Sequence, residues 1–185
     1  KLKENREENT AEQIVFLHGT TWGTKHWPAK YWRHLAQIAS ESGYEVLLPW
    51  GNNEERKRAE FIAKNNNLVT ILDKQSLTGL AQHINNSKGV IAVDTGLGHL
   101  AAALSKPAVS LYGPTNPGLS GTFGENQLHL YSKFSCAPCV KKVCSYKGPV
   151  ITDNLENQPF AVIPPCFSVN KPEQVWQRFK NLLKE

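Results

Sequence analysis

Gly89-Val90-Ile91-Ala92-Val93 runs directly into Asp94-Thr95-Gly96-Leu97-Gly98-His99 and then into Leu100-Ala101-Ala102-Ala103-Leu104. The apolar run reads as a buried strand, the polar segment as a turn and the alanine-rich segment as a helix. Two glycines at that junction allow the backbone to turn sharply and to come close to a ligand. The first amides of the helix point outward, unpaired and partly positive, which suits a phosphate or diphosphate.

The same alternation extends in both directions. Ile14 to Leu17 reads as a strand, followed by a polar turn and a helix that starts at Pro28 and closes at Gly43. Glu45 to Leu48 and Leu68 to Leu72 read as further strands, with a charged helix over Glu54 to Lys64 between them. Ser76 caps a helix reaching about Asn86, and Ala108 to Tyr112 makes a strand stopped by Gly113-Pro114. Pro172 starts a carboxyl-terminal helix over about 171–184, whose Val175, Trp176, Phe179, Leu182 and Leu183 form an apolar stripe. Short strands alternating with helices imply an α/β fold, a Rossmann-like parallel sheet with helices on both faces. Ligands on such sheets sit beyond the carboxyl ends of the strands.

That rule selects the loops after the strands. His18-Gly19-Thr20-Thr21-Trp22-Gly23-Thr24-Lys25 offers adjacent hydroxyls and a lysine to an anion. Pro49-Trp50-Gly51-Asn52-Asn53-Glu54-Glu55 offers carboxylates to sugar hydroxyls, and Tyr112 to Gly118 forms a rigid polar turn. Read in isolation, Lys25 is a solvated surface lysine, His99 a capping or structural histidine, and Trp22, Trp27 and Trp32 packing beneath the first loop. Asp94-Thr95-Gly96 also matches the aspartic-protease triplet, but that triplet needs an all-β setting. Gly96-x-Gly98-x-x-Ala101 fits the dinucleotide fingerprint in form, yet it follows the fourth strand and lacks the acid about 20 residues later.

Composition bounds the rest. The 185 residues are 40% hydrophobic and 20% charged, ordinary globular material, with no apolar run long enough for a membrane helix. The net charge is +5, from 21 Lys and Arg against 16 Asp and Glu. This excess suits an anionic ligand or membrane surface, while the scattered basic residues argue against nucleic acid. The chain has no methionine, and its charged, asparagine-rich opening over residues 1–13 reads as a linker or inter-domain segment of a longer protein. Residues 14–185 then form one domain with a cysteine-bearing insert at about 132–167. Cys136-x-x-Cys139, Cys144 and Cys166 are the four cysteines of the chain. They admit two readings, a structural zinc ion or free, redox-active thiols, and a reducing cytosol disfavours bridges. Lys141, Lys142 and Lys147 in the insert make either a loop that meets lipid phosphates or an exposed solubilising loop.

The ordered set Thr20-Thr21, Lys25-His26-Trp27-Pro28, Leu48-Pro49-Trp50-Gly51, Val93-Asp94-Thr95-Gly96 with His99-Leu100, and Leu111-Tyr112-Gly113-Pro114-Thr115 resembles the carboxyl-terminal half of the lipopolysaccharide heptosyltransferases of glycosyltransferase family 9, nearest to the heptosyltransferase I type. The resemblance covers roughly residues 14–131. It implies the GT-B architecture, in which two Rossmann-like halves face each other and the second holds the nucleotide sugar. The implied activity is inverting transfer of heptose from ADP-heptose to the Kdo residue of lipid A, without a required metal or other cofactor. Thr20 and Thr21 would then bind the diphosphate, and Lys25 would offset charge on the departing ADP. Glu55 falls at the ribose position and Gln75 beside adenine. Thr95, Gly96 and His99 belong to the donor motif, and Asp94 would accept from heptose hydroxyls or brace the turn. The general base is expected on the amino-terminal half, outside this chain. The implied setting is a cytoplasmic monomer in peripheral contact with the inner membrane of a Gram-negative bacterium. The alternative class is a non-catalytic nucleotide-binding or zinc-bearing module.

Overall fold

The computed structural model of the protein describes residues 11–184. Positions 1–10 of the expected linker lie outside the described residues, while Glu12 and Gln13 belong to the first strand, so that expectation ran too far into the domain. In chain order the elements are β1 (Glu12–Leu17), a 3₁₀ turn (Gly23–Lys25), α1 (Ala29–Glu41), β2 (Tyr44–Leu48), α2 (Asn53–Ala63), β3 (Val69–Ile71), α3 (Leu77–Asn86) and β4 (Gly89–Val93). There follow α4 (Gly96–Ala103), β5 (Ala108–Tyr112), α5 (Pro117–Ser120), β6 (Gln127–Tyr131), β7 (Thr152–Leu155), β8 (Gln158–Ala161), a second 3₁₀ turn (Pro165–Val169) and α6 (Pro172–Leu183).

Six strands form one sheet in the order β3-β2-β1-β4-β5-β6, every neighbouring pair parallel. Successive side chains of a strand point to opposite faces, so continuous apolar runs supply two cores at once. Ile14, Phe16, Val46, Leu48, Ile91 and Val93 face one layer, where α1 and α6 contribute Tyr31, Trp32, Leu35, Val175, Trp176 and Phe179. Val15, Leu17, Val90 and Ala92 face the other, where they meet Ile84 of α3 and Ala101 of α4. The small residues of α4 give this second core its modest bulk. The first core carries the aromatic mass, with Trp27 edge-on to Trp32 at 5.1 Å and Phe16 tilted against Trp32 at 5.2 Å.

Most element ends differ from the sequence reading by a residue or two, but α4 starts at Gly96, four residues before the alanine-rich segment read as the helix. Pro28 stands at the N-cap of α1 rather than inside it, and α1 ends at Glu41 before Gly43, whose φ of +89° suits a residue without a Cβ. Ser76 caps α3 by accepting from the Gly79 amide. β6 and the β7–β8 hairpin carried no clear sequence signal. The hairpin turns through Glu156 and Asn157, both at positive φ, where a glycine is the usual marker. It is fastened to α1 and α6 through Asp153, which accepts from the Tyr31 hydroxyl and pairs with Lys171. Among the described residues no helix is long and apolar enough to cross a membrane.

The aromatic core supports the loops above it, and its weight is measurable. Trp32→Ala is expected to destabilise the fold by about 3–5 kcal/mol in urea titration. Leu119→Ala, at a side chain 86% exposed, should stay within about 0.5 kcal/mol of the parent. Equal effects of the two substitutions would contradict this placement of the core.

Candidate functional site

β1 and β4 are adjacent in the sheet, but the chain leaves β1 toward β2 on one side and β4 toward β5 on the other. Their carboxyl ends therefore diverge into a crevice, the switch point at which parallel α/β sheets bind ligands. Asp94 ends β4 with only 7% of its surface exposed. The Lys25 Nζ pairs with Asp94 Oδ2 at 2.8 Å, and the Thr115 hydroxyl donates to the same oxygen at 2.7 Å. The Thr20 hydroxyl donates to the Asp94 carbonyl at 3.2 Å. Lys25 also lies 4.5 Å from the centre of the Trp22 ring. One carboxylate thus joins the loops after β1, β4 and β5.

A cleft of about 400 Å³ opens over this junction, a size in the range of small-molecule sites. Its lining brings together Thr20, Thr21, Lys25, Glu55, Gln75, Asp94, Thr95, Gly96 and His99, all nine positions singled out from the sequence. Thr21, Gly96 and His99 stand at its exposed rim. Glu55 Oε2 accepts from the Gly51 amide at 2.7 Å, and its carboxylate packs so closely on Gly19 that a Cβ there would meet Oε1 at 2.6 Å. Gln75 turns its amide back onto the Asp73 carbonyl at 3.1 Å.

The glycines of the turn act differently from the sequence expectation. Neither Gly96 nor Gly98 is among the glycines at positive φ, and both lie within α4. The turn is made instead by Thr95, in extended backbone with φ −148° and ψ 155°. The absence of a side chain is what matters: a Cβ on Gly96 would meet nothing within 4 Å, so the amino end of α4 stays open to the cleft. No side chain caps α4, whereas Asn52 caps α2 and Ser76 caps α3. The α4 amides accordingly face the cleft with the positive end of the helix dipole.

Two lining side chains, Trp50 and His18, and the nearby Arg58 were given no role from the sequence. Trp50 forms a wall, its indole donating to the Leu72 carbonyl at 2.7 Å and so tying the loop after β2 to that after β3. His18 is wholly buried at the floor. Beneath it Arg58 reaches within 2.8 Å of His26 Nδ1. Burial, then the Arg58 charge, then His26, lowers the His18 pKa to about 3. Burial and Arg58 lower His26 to about 4. Both rings are neutral at physiological pH, and Nδ1 of His26 accepts from the guanidinium. Arg58 lies three residues after Glu55, on the same face of α2, which is the one sequence signal that could have placed it.

The insert sits beside this cleft. The Thr24 hydroxyl donates to the Lys141 carbonyl at 2.5 Å, and Lys142 Nζ lies 5.4 Å from the Trp22 ring centre. Cys136, Cys139, Cys144 and Cys166 are free thiols bordering one small cavity. Burial pushes Cys166 up to about 12, with the other three thiols adding to the shift. Among the described residues no three His, Cys, Asp or Glu side chains stand in a ligating arrangement.

An open parallel sheet with an anion-suited loop cluster at its switch point defines a Rossmann-like ligand-binding domain. The chain belongs to glycosyltransferase family 9 (heptosyltransferase), whose family model matches residues 1–149. It is 47% identical over 173 residues to lipopolysaccharide heptosyltransferase 1 of Pseudomonas aeruginosa, covering 94% of this chain and 48% of that protein. It is similar to the solved structure of E. coli heptosyltransferase WaaC with ADP-2-deoxy-2-fluoro heptose, at TM-score 0.62 and 41% identity, covering 69% of this chain and 39% of that one. E. coli ADP-heptose lps heptosyltransferase II shares the fold at TM-score 0.72 and 22% identity, over 95% of this chain and 47% of that one. The parallel six-stranded sheet matches one half of these GT-B structures. The chain spans about half the length, or less, of the curated relatives it matches.

The neutral histidines make stability depend on pH. The unfolded chain protonates them near 6.5 while the native fold holds both depressed, so the unfolded state binds more protons in acid. Stability is therefore complete above about pH 6.5 and falls as the pH drops toward 4. By pH 5 His18 alone should cost roughly 2 kcal/mol. Thermal melts at a series of pH values check this, and a flat profile between about pH 7.5 and 5 would contradict it.

Proposed function

We propose that this chain is the donor half of an inverting glycosyltransferase that moves heptose from ADP-heptose to the Kdo residue of the lipopolysaccharide inner core. The observation that carries this reading is one cleft in which the Lys25 ammonium, held by Asp94, faces the uncapped amino end of α4 beside Thr20 and Thr21. A diphosphate there would meet an ammonium, two hydroxyls and the α4 amides at Gly96. The ADP-heptose analogue held by WaaC and the identity with heptosyltransferase 1 support the choice of donor.

The remaining roles follow the lining of the cleft. Glu55 receives ribose hydroxyls, and Trp50 with Gln75 walls the adenine. Thr95 and His99 flank the donor at the rim. Asp94 serves as the brace: both donors on its Oδ2 are already internal, and its charge is offset by Lys25, so a nearby phosphate meets no net repulsion from the pair.

In the reaction the acceptor hydroxyl attacks the anomeric carbon while the bond to the β-phosphate oxygen breaks from the opposite face, its electron pair leaving with ADP. Negative charge grows on that oxygen through an oxocarbenium-like transition state, so Lys25 and the α4 amides stabilise the transition state more than the bound donor. The acceptor proton passes to a carboxylate base assigned to the other half of the enzyme. This scheme takes its charge offset from the protein and requires no cofactor. The acceptor is membrane-embedded, so the enzyme works peripherally at the cytoplasmic face of a Gram-negative inner membrane, as a monomer, with the net charge of +5 favouring the anionic surface.

ADP at 100 times its Kd should raise Tm by roughly 5–10 °C. Lys25→Ala should weaken ADP binding roughly ten- to hundredfold by isothermal titration, because a charge-assisted contact is lost and Asp94 is left unpaired. Binding of ADP without heptose transfer by the full-length protein would favour the non-catalytic module. The absence of a Tm shift with any nucleoside diphosphate would overturn the proposal.

A further inference from the structure

The first loop leaves β1 at His18 and runs toward α1 just past His26, and between these two residues it carries Thr20, Thr21 and Lys25 to the cleft. Asp94 ties its middle to β4, but its base is closed from α2. Arg58 Nη1 lies 2.8 Å from His26 Nδ1 and 3.5 Å from the His18 carbonyl oxygen. One nitrogen of a half-buried guanidinium therefore spans both ends of the loop that holds the ammonium and the two hydroxyls.

The chemistry of this bridge is selective. Burial and the Arg58 charge both keep the His26 ring neutral, which leaves Nδ1 a lone pair for the guanidinium. Burial opposes the charge of Arg58, and Glu55 and Glu54 offset that cost. A planar guanidinium presents its donors at fixed angles, which an ammonium on a flexible stem does not reproduce. One turn earlier on the same face of α2, the Glu55 carboxylate packs against Gly19, where a Cβ would stand 2.6 Å from Oε1. A single helix thus touches the loop at its start through Glu55 and across both ends through Arg58.

We propose that Arg58 is a positioning residue for the donor diphosphate: by bridging the His18 carbonyl and the His26 ring it closes the base of the loop 18–26, so that Thr20, Thr21 and Lys25 meet the phosphates as a preformed set in register with Glu55. The role toward the diphosphate rests on the proposed reading of those three side chains, whereas the closure of the loop stands without it. In the absence of the bridge the loop is held by Thr20, Thr24 and Lys25 from the sides of β4 and the insert. Its final ordering then falls to the ligand and weakens binding. The loss is confined to the phosphates, because a bare nucleoside meets Glu55, Trp50 and Gln75 instead.

Amide exchange followed by mass spectrometry reads the closure in the unliganded chain. In Arg58→Ala, peptides covering residues 19–25 should exchange roughly tenfold faster, with β4 and β5 as protected as in the parent. Unchanged exchange over 19–25 overturns the closure. Isothermal titration reads the consequence: ADP should bind Arg58→Ala roughly tenfold more weakly, and adenosine within about twofold of the parent. Equal weakening of both ligands, or an unchanged ADP affinity, overturns the positioning role. Because Arg58→Ala could also loosen α2 as a whole, the contact is tested from its other side. His26→Asn keeps an acceptor for the guanidinium and should hold ADP within about threefold of the parent, whereas His26→Leu has none and should match Arg58→Ala. Equal ADP affinities for the two His26 variants overturn the bridge. A parent chain that binds neither ADP nor adenosine overturns the donor reading instead, and the closure is then decided by the exchange rates.

Discussion

Asp94 is the constraint on which the arrangement of the cleft depends. A carboxylate with 7% exposure at the end of a central strand is costly unless its charge and lone pairs are met. Here Lys25 and Thr115 converge on one of its oxygens, and its own carbonyl receives Thr20. These contacts reach across 74 positions to the first loop and 21 to the fifth. The result is a tie among three loops that no backbone ladder connects. Such a tie is valuable at a switch point, where diverging crossovers otherwise leave the loops free to separate.

Charge around the cleft is arranged in layers. The ammonium of Lys25 is balanced by Asp94, the guanidinium of Arg58 feels the carboxylates of Glu55 and Glu54, and the amino end of α4 carries no side-chain cap. His18 and His26 stay neutral beside that guanidinium, since burial and the nearby cation both oppose their protonation. A cleft built this way offers an anion the dipole of a helix end and a cation already paired with a carboxylate. Trp50 adds a flat apolar wall whose position is set by one hydrogen bond to the β3 exit.

The chain beyond β6 has a supporting role that its irregular backbone conceals. The hairpin is fixed through Asp153 to α1 and α6, and Trp27 at the head of α1 donates its indole to the Asn170 carbonyl at 3.0 Å. The first loop is thus held from beneath by aromatic packing and from the side by the insert. A basic, cysteine-bearing loop that resembles a surface elaboration in sequence is in space the outer wall of the Lys25 turn.

The amino-acid sequence by itself determined the alternating α/β order, the strands from β1 to β5 within two residues, and the loops that carry polar and charged groups. Continuous apolar runs, caps and proline positions are local signals, and local physics writes them into short stretches. It was silent on β6, whose residues are only half covered at the sheet edge, and on a hairpin whose turn lacks glycine. Of the two effects read from the glycines after β4, the open helix end is present, while the sharp turn is made by extended Thr95 and not by the glycines. Only the tertiary structure decided that Lys25 pairs with Asp94, that Arg58 lies under two neutral histidines, and that four distant cysteines share one cavity. Each of these depends on which strands become neighbours, and strand order is set by packing the whole chain.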